Sequence, residues 1–375
     1  MKTKSLLLLL TVGLSVPIWA VEPLQFSSLR QIGMGGAGVA LSNGESNLIQ
    51  NPALLADPDA KPEMVIRMRG SVGTDLLSKV STLKSFTTAS NDEIGTILDK
   101  LVGLKIAAEG GPSSVLSYTG NGFGIGLLSN ISLTGKFINP VQPTLTLNGT
   151  ADFFPTVGLA SQFKIGDQSI ALGASAKYII RNTLYDKTNG TPYIELGNAD
   201  LIAAQNDGVL VDKFKQFYMT RGFGLDVGAL TTVSAMGLPI RVGGSVRNIG
   251  STLSGTMKLE DGSSKNGNMT LPMTTVVGAA VTPDLPLLGA ITLASDYTLA
   301  PSASIYKSLH LGAEKTLFNQ MLSLRAGVNQ GYVGIGMGVS LGSFELEYAF
   351  NTLENSAYVG QDGFSSHIVD VAFRW

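Results

Sequence analysis

The chain reads as an all-β protein, a fourteen-stranded antiparallel transmembrane β-barrel, on three observations. Apolar residues recur at every second position through most of the sequence, the connections between those stretches alternate in length, and an export-type leader is matched by a last strand ending on an aromatic residue. Composition agrees. The 375 residues are 44% hydrophobic and 14% charged, with a mean hydropathy of +0.24, too apolar for a disordered chain or a nucleic-acid binder. Lys plus Arg total 26 against 28 for Asp plus Glu, which implies no polyanionic partner. With no cysteine and only His310 and His367, disulfides, thiolate zinc sites, a cysteine nucleophile and histidine-rich metal sites are excluded, and no cofactor is implied.

Residues 1–20 have the layout of a secretory signal peptide: basic Lys2 and Lys4, an apolar run from Leu6 to Val16, and small Ala20 before Val21. A retained anchor helix is the alternative, but the run is well short of the ~20 residues that span a bilayer. No later stretch reaches that length, so the apolar content must be spread in alternation.

After Pro62 the period is two. Met64, Ile66 and Met68 alternate with Arg67 and Arg69, and Ile170, Leu172, Ala174, Ala176, Tyr178 and Ile180 with Ser175, Lys177 and Arg181. Strands are expected at 64–73, 113–119, 122–133, 154–164, 169–181, 221–233, 239–249, 272–282, 290–299, 308–317, 321–330, 332–341, 343–352 and 366–375. The even-numbered connections are short (for example Gly120-Asn121, 165–168, 234–238 and Gly342). The odd-numbered ones are mostly long (74–112, 134–153, 182–220, 250–271, 300–307, 353–365), and only Gly331 breaks the rule. Short periplasmic turns opposite long extracellular loops are the outer-membrane barrel pattern. In loop 74–112, Ser90-x-x-Glu93 reads as a capping box before Ile94, Ile97, Leu98 and Leu101, a helix packed on the barrel mouth or a gating lid.

A soluble sandwich would show the same alternation with its apolar face inward. The leader, the low charge and the last strand, Val369, Val371, Phe373 and Trp375 on one face, favour the barrel. Its charged face then lines the lumen: Arg67, Arg69, Lys177, Arg181, Arg241, Arg247 and Arg325 with Asp226, Asp296, Glu314, Glu345, Glu347 and Asp370. Two readings are open, mutual pairing that fills the barrel or a wet permeation path.

Three motifs match enzymes by letter only. Gly33-Met-Gly35-Gly36-Ala-Gly38 fits a dinucleotide fingerprint but has no preceding strand. Gly338-Val-Ser340-Leu-Gly342, with Asp362 and His367 following, fits a nucleophile elbow but lies between two strands. Gly135-Lys136 lacks the upstream glycine of a phosphate loop. No catalytic set remains, so no enzyme is expected.

The forty residues before the first strand do not alternate. Phe26-Ser-Ser, the run Ile32 to Ala40 with Gly33, Gly35, Gly36 and Gly38, and Asn51-Pro52-Ala53-Leu54 resemble the start of the FadL family of outer-membrane hydrophobic-compound transporters. The Gly-Met-Gly-Gly-Ala-Gly-Val-Ala wording is similar to relatives described as TraF-like conjugal transfer proteins or PorV. Later stretches (Gly173–Tyr178, Gly224–Gly228, Val246–Gly250, Leu324–Gly327) also resemble the family. The resemblance implies a fourteen-stranded barrel in the bacterial outer membrane, whose N-terminal segment, 21–62, folds inward as a lumenal plug ahead of a barrel spanning 63–375. Glycines allow close packing there and Pro52 fixes a bend; a tail outside the barrel is the alternative. The implied partners are outer-membrane lipids, the barrel-assembly machinery, and either a hydrophobic small molecule taken up passively or a secretion or conjugation protein held by a scaffold.

Overall fold

The computed structural model describes residues 26–88, 91–139, 141–166, 168–197, 199–201, 216–299, 304–356 and 358–375. The leader and Ser90 of the capping box lie outside them. Fourteen antiparallel strands form the wall: β1 Glu63–Gly73, β2 Lys105–Gly120, β3 Phe123–Ile138, β4 Thr144–Ile165, β5 Gln168–Leu184, β6 Phe217–Ala235, β7 Leu238–Ile249, β8 Thr274–Val281, β9 Thr292–Leu299, β10 Leu309–Leu317, β11 Leu322–Asn329, β12 Tyr332–Leu341, β13 Phe344–Glu354 and β14 Gly363–Arg374. Each pairs with its sequence neighbours, and β1 pairs with β14 from Val65↔Arg374 to Gly73↔Ser366, closing the barrel without an edge. Trp375 completes the seam by exchanging backbone hydrogen bonds with Met64.

Alternation places the two faces. Ile66 and Met68 are exposed on the outside while Arg67 and Arg69 are buried inside; Val333, Ile335 and Met337 face out, as do Val369, Phe373 and Trp375. No helix among the described residues is long and apolar enough to cross a membrane. Turns such as Asn121-Gly122, both with positive φ, make the twisted two-residue hairpins that adjacent strands need. These turns share one end of the barrel, the turn end, with Glu63 and Trp375.

Several strands run beyond the ranges expected from sequence. β2 starts at Lys105, and β3 and β4 meet at a short connection, 139–143, so the stretch 134–153 is wall rather than loop. The opposite, loop end carries helices α3 Thr74–Ser78, α4 Val80–Thr88 and α5 Asn91–Leu101, the last as the capping-box reading expects in place. Leu98, Leu101 and Leu104 pack on Phe137, Leu145, Leu147, Leu184, Ile194 and Leu196, a cap over the tall β3–β5 side. β8 to β11 are much shorter, eight or nine residues each.

The segment 26–56 fills the lumen as a plug. It folds as α1 Leu29–Gly33, a 3₁₀ turn Gly44–Ser46, α2 Asn47–Gln50 and a second 3₁₀ turn Pro52–Ala56. Ser28 Oγ caps α1 by accepting from Gln31 N at 3.2 Å. Leu29, Met34, Leu48, Ala53 and Leu54 are completely buried against the wall.

Candidate functional site: plug, lumen and chamber

The plug is held by shape and by bonds. Gly35 has φ +66°, and a Cβ there would come within 2.5 Å of Leu311 O and Val328 N, so only glycine lets the backbone lie on β10 and β11. Gly33 meets Gly336 of β12 in the same way, with a Cβ only 2.9 Å from the Gly336 Cα. Gly36 lies against the His310 ring, whose Nδ1 is 3.2 Å from Gly35 O. Phe26 meets Phe154 edge-on, with ring centroids 5.8 Å apart.

The Asn51-Pro52-Ala53 phrase has a mechanical meaning. Asn51 Oδ1 accepts from Ala53 N at 3.1 Å, capping the 3₁₀ turn that begins at Pro52. Its Nδ2 donates to Val39 O at 2.7 Å inside the plug and to Ala229 O at 3.2 Å on β6. One amide therefore ties two plug segments to the wall, over Gly228 and Gly173, whose missing Cβ atoms make room for Asn51 and Pro52.

Ion pairs supply the second set of ties. Arg67 reaches Glu45 of the plug at 2.6 Å and Glu345 and Glu347 of β13 at 3.0 and 3.3 Å. Glu314 sits between Arg30 of the plug and Arg325 of β11, each at 2.7 Å, and Arg325 also binds Glu347 at 2.6 Å. Arg241 pairs with Asp57 where the plug leaves the lumen. Burial pushes the Glu45 carboxyl up, but the Arg67 and Arg374 guanidiniums outweigh it and hold it below its ordinary value. Wall-to-wall pairs complete the network: Arg69 with Asp370 at 2.8 Å, Lys177 with Asp226 at 2.7 Å, and Arg181 with Asp152 at 2.7 Å.

Most of the charged residues expected in the lumen are buried in ion pairs, but several of their partners were not visible in the alternation. Arg30, Glu45 and Asp57 lie in the non-alternating plug. Asp152 lies in the first part of β4, ahead of the stretch expected as strand, although parity counted back from Phe154 would have found it. Among the described residues no group of three His, Asp or Glu side chains could hold a metal ion. Ser340 lies inside β12 opposite Glu345, whereas His367 pairs with Phe350 further along the wall, so the elbow motif does not assemble.

On the loop side of the plug lies a chamber of about 280 Å³. Phe26, Ile32, Ile49, Val276, Leu353 and Ile368 give it apolar surface, and Arg69, Glu109, Arg247, Asp296 and His310 its polar surface. Asp296 accepts from Gly38 N and Val39 N at 2.7 and 2.8 Å, so the plug forms its floor. Beside Glu109 the β2–β3 ladder is interrupted, bridged there by Ser129 Oγ donating to Pro112 O. β2 and β3 pair at Glu109↔Ser132 and next at Ser114↔Leu128, with a register shift and no ladder partners between. Pro112 in that gap has no N–H to give and Gly111 has φ +105°.

A closed fourteen-stranded barrel with an apolar outer face, a charged inner face and a folded N-terminal plug defines a plugged barrel. No family model and no curated protein matches it. Among solved structures it is similar to the Pseudomonas putida toluene transporter TodX (12% identity, TM-score 0.45, 94% of this chain and 98% of that one). It is also similar to the Ralstonia pickettii toluene transporter TbuX (13%, 0.45, 94% and 98%) and to a Pseudomonas aeruginosa FadL homologue (10%, 0.39, 94% and 99%).

Proposed function

We propose that the protein sits in the bacterial outer membrane, with its turns in the periplasm, and lets small hydrophobic molecules enter passively. The observation that carries this reading is the chamber, part apolar and closed below by the plug, whose side wall adjoins the interrupted β2–β3 ladder. An axial path is unfavourable, because the plug is bonded to the wall around its circumference and the charges beneath the chamber would have to be stripped of their partners. A solute would therefore enter from the loop end, rest in the chamber and leave sideways between β2 and β3 into the bilayer. At about 280 Å³ the chamber is just below the usual range of ligand sites, ~300–1,000 Å³, which suits a small molecule and not a long acyl chain.

The chain lacks cysteine, so a Ser113→Cys/Ser129→Cys pair can be placed across the interruption without background. Oxidation should lower uptake in a deletion strain and reductant should restore it; uptake indifferent to the disulfide state would remove the lateral route. The packed cap on β3–β5 favours a second reading, a barrel scaffold for a secretion or conjugation complex. Stoichiometric capture of such a complex, with no solute bound, would replace the first reading with it.

A further inference from the structure

The wall is of unequal height. β2 to β5 run for 16 to 22 residues, whereas β8 to β11 run for eight or nine. Eight residues at a tilt of about 40° rise about 20 Å along the barrel axis, less than the apolar band of about 25 Å that a bilayer-spanning barrel carries. The turns at the foot of this short side also differ from the rest. On the tall side the left-handed positions are held by Asn121, Gly122 and Gly166, residues that accept a positive φ at little cost. Under β6 to β11 they include Met236 (φ +53°), Leu287 (+70°) and Phe318 (+51°). Met236 and Leu287 are fully exposed and Phe318 is 73% exposed, with Leu288 and Met321 exposed beside them. A bulky side chain in a left-handed turn is strained, and at such exposure the chain itself supplies little packing to offset the strain.

We propose that these three turns are a lipid-docking surface: Met236, Leu287 and Phe318 enter the bilayer leaflet on the turn side and complete the apolar band that β8 to β11 are too short to span. This rests on the reading of the barrel as a membrane protein, and adds to it. Lipid is the occupant that the observations favour over a protein partner, because the apolar tips are confined to the side that holds all four short strands and extend its outer face downward by the missing distance, about 5 Å. Tips and wall form one apolar surface. Ile240, Val281 and Leu293, which stand next to the turns, line the lower end of an outer groove of about 750 Å³ that continues over Ala313 and Ala326. The nearby charges are held back from the tips, since Lys315 Nζ donates to Ala290 O at 3.1 Å and Asp284 lies beside it across Gly289. A wall too short for the bilayer would otherwise thin it; apolar turns immersed at the boundary of headgroups and acyl chains make that unnecessary.

The test uses the absence of cysteine. The full-length protein carrying one of Met236→Cys, Leu287→Cys or Phe318→Cys is labelled with the fluorophore NBD and reconstituted into phosphatidylcholine vesicles, alongside Leu159→Cys on the outer wall and Asp261→Cys in a loop. Each variant should stay heat-modifiable, which shows that the barrel is intact. The three tip probes should lose fluorescence to doxyl-labelled phosphatidylcholine, as Leu159→Cys does, and not to iodide supplied on both sides of the membrane, which should quench Asp261→Cys. Tip probes that respond to iodide and not to the lipid quencher, while Leu159→Cys responds to lipid, would overturn the docking surface and leave the membrane reading standing. Tip probes shielded from both quenchers would overturn it in favour of a second copy of the chain. If Leu159→Cys itself answers only to iodide, the membrane reading falls as well.

Discussion

Substituting Arg67 by alanine would leave the buried Glu45 without its closest cation, because Glu345 and Glu347 keep Arg374 and Arg325 while Glu45 keeps only a distant charge. Removing one partner of a buried pair costs about 3–5 kcal/mol. Glu45→Ala should cost less, about 1–3 kcal/mol, since Arg67 retains three carboxylates, those of Glu345, Glu347 and Asp370. Hydrogen exchange of plug amides would show this order, and equal losses from the two variants would contradict it. The same pair fixes a pH window. A carboxyl held below its ordinary value contributes stability that is complete above the unfolded value, about 4.5, and is lost as the pH falls through the folded one. Plug protection should therefore be level from pH 8 to 5 and decline only in stronger acid. A decline between pH 7 and 5 would mean that another group governs it.

At the scale of elements, the fourteen strands were legible because this barrel wall alternates: an apolar outer face and a charged inner face leave a period of two in the sequence. Legibility failed at particular stretches. β2 continues through Gly110, Gly111 and Pro112, residues that read as loop because they lack side chains or a donor, and the irregular β2–β3 register they create lies beside the chamber. β4 begins at Thr144, and its early part alternates as the rest does, Leu145, Leu147, Ala151 and Phe153 against Thr144, Thr146, Thr150 and Asp152; it reads as loop only if the short connection 139–143 goes unnoticed. The plug has no periodicity at all; its glycines and Asn51 are explained only by what they touch, and Glu45 and Arg30 could not be assigned partners from sequence. Asn51→Ala should loosen the plug by about 1–3 kcal/mol, through the loss of three hydrogen bonds, while leaving barrel assembly unchanged. Deleting 26–54 should raise conductance in planar bilayers with the barrel still heat-modifiable. Unchanged conductance would mean that the cap, and not the plug, closes the pore.

For the whole molecule, orientation follows from counting. An even number of strands returns both ends of the wall to one side, and Glu63, Trp375 and the short turns do share an end. Exported barrels place short turns in the periplasm and long connections outside. Protease sites placed in 185–216 or 259–263 should therefore be cut on intact cells, whereas one at Gly166 in the β4–β5 turn should be cut only after the outer membrane is opened. The protein should fractionate with the outer membrane and migrate faster unheated than boiled, because a closed hydrogen-bonded wall resists detergent until it is melted. Cleavage at Gly166 on intact cells would invert the barrel and set the chamber facing the periplasm, so that the lateral opening would serve release from the cell instead of entry. The direction of passage thus rests on this one accessibility pattern, which can be measured without knowing the solute.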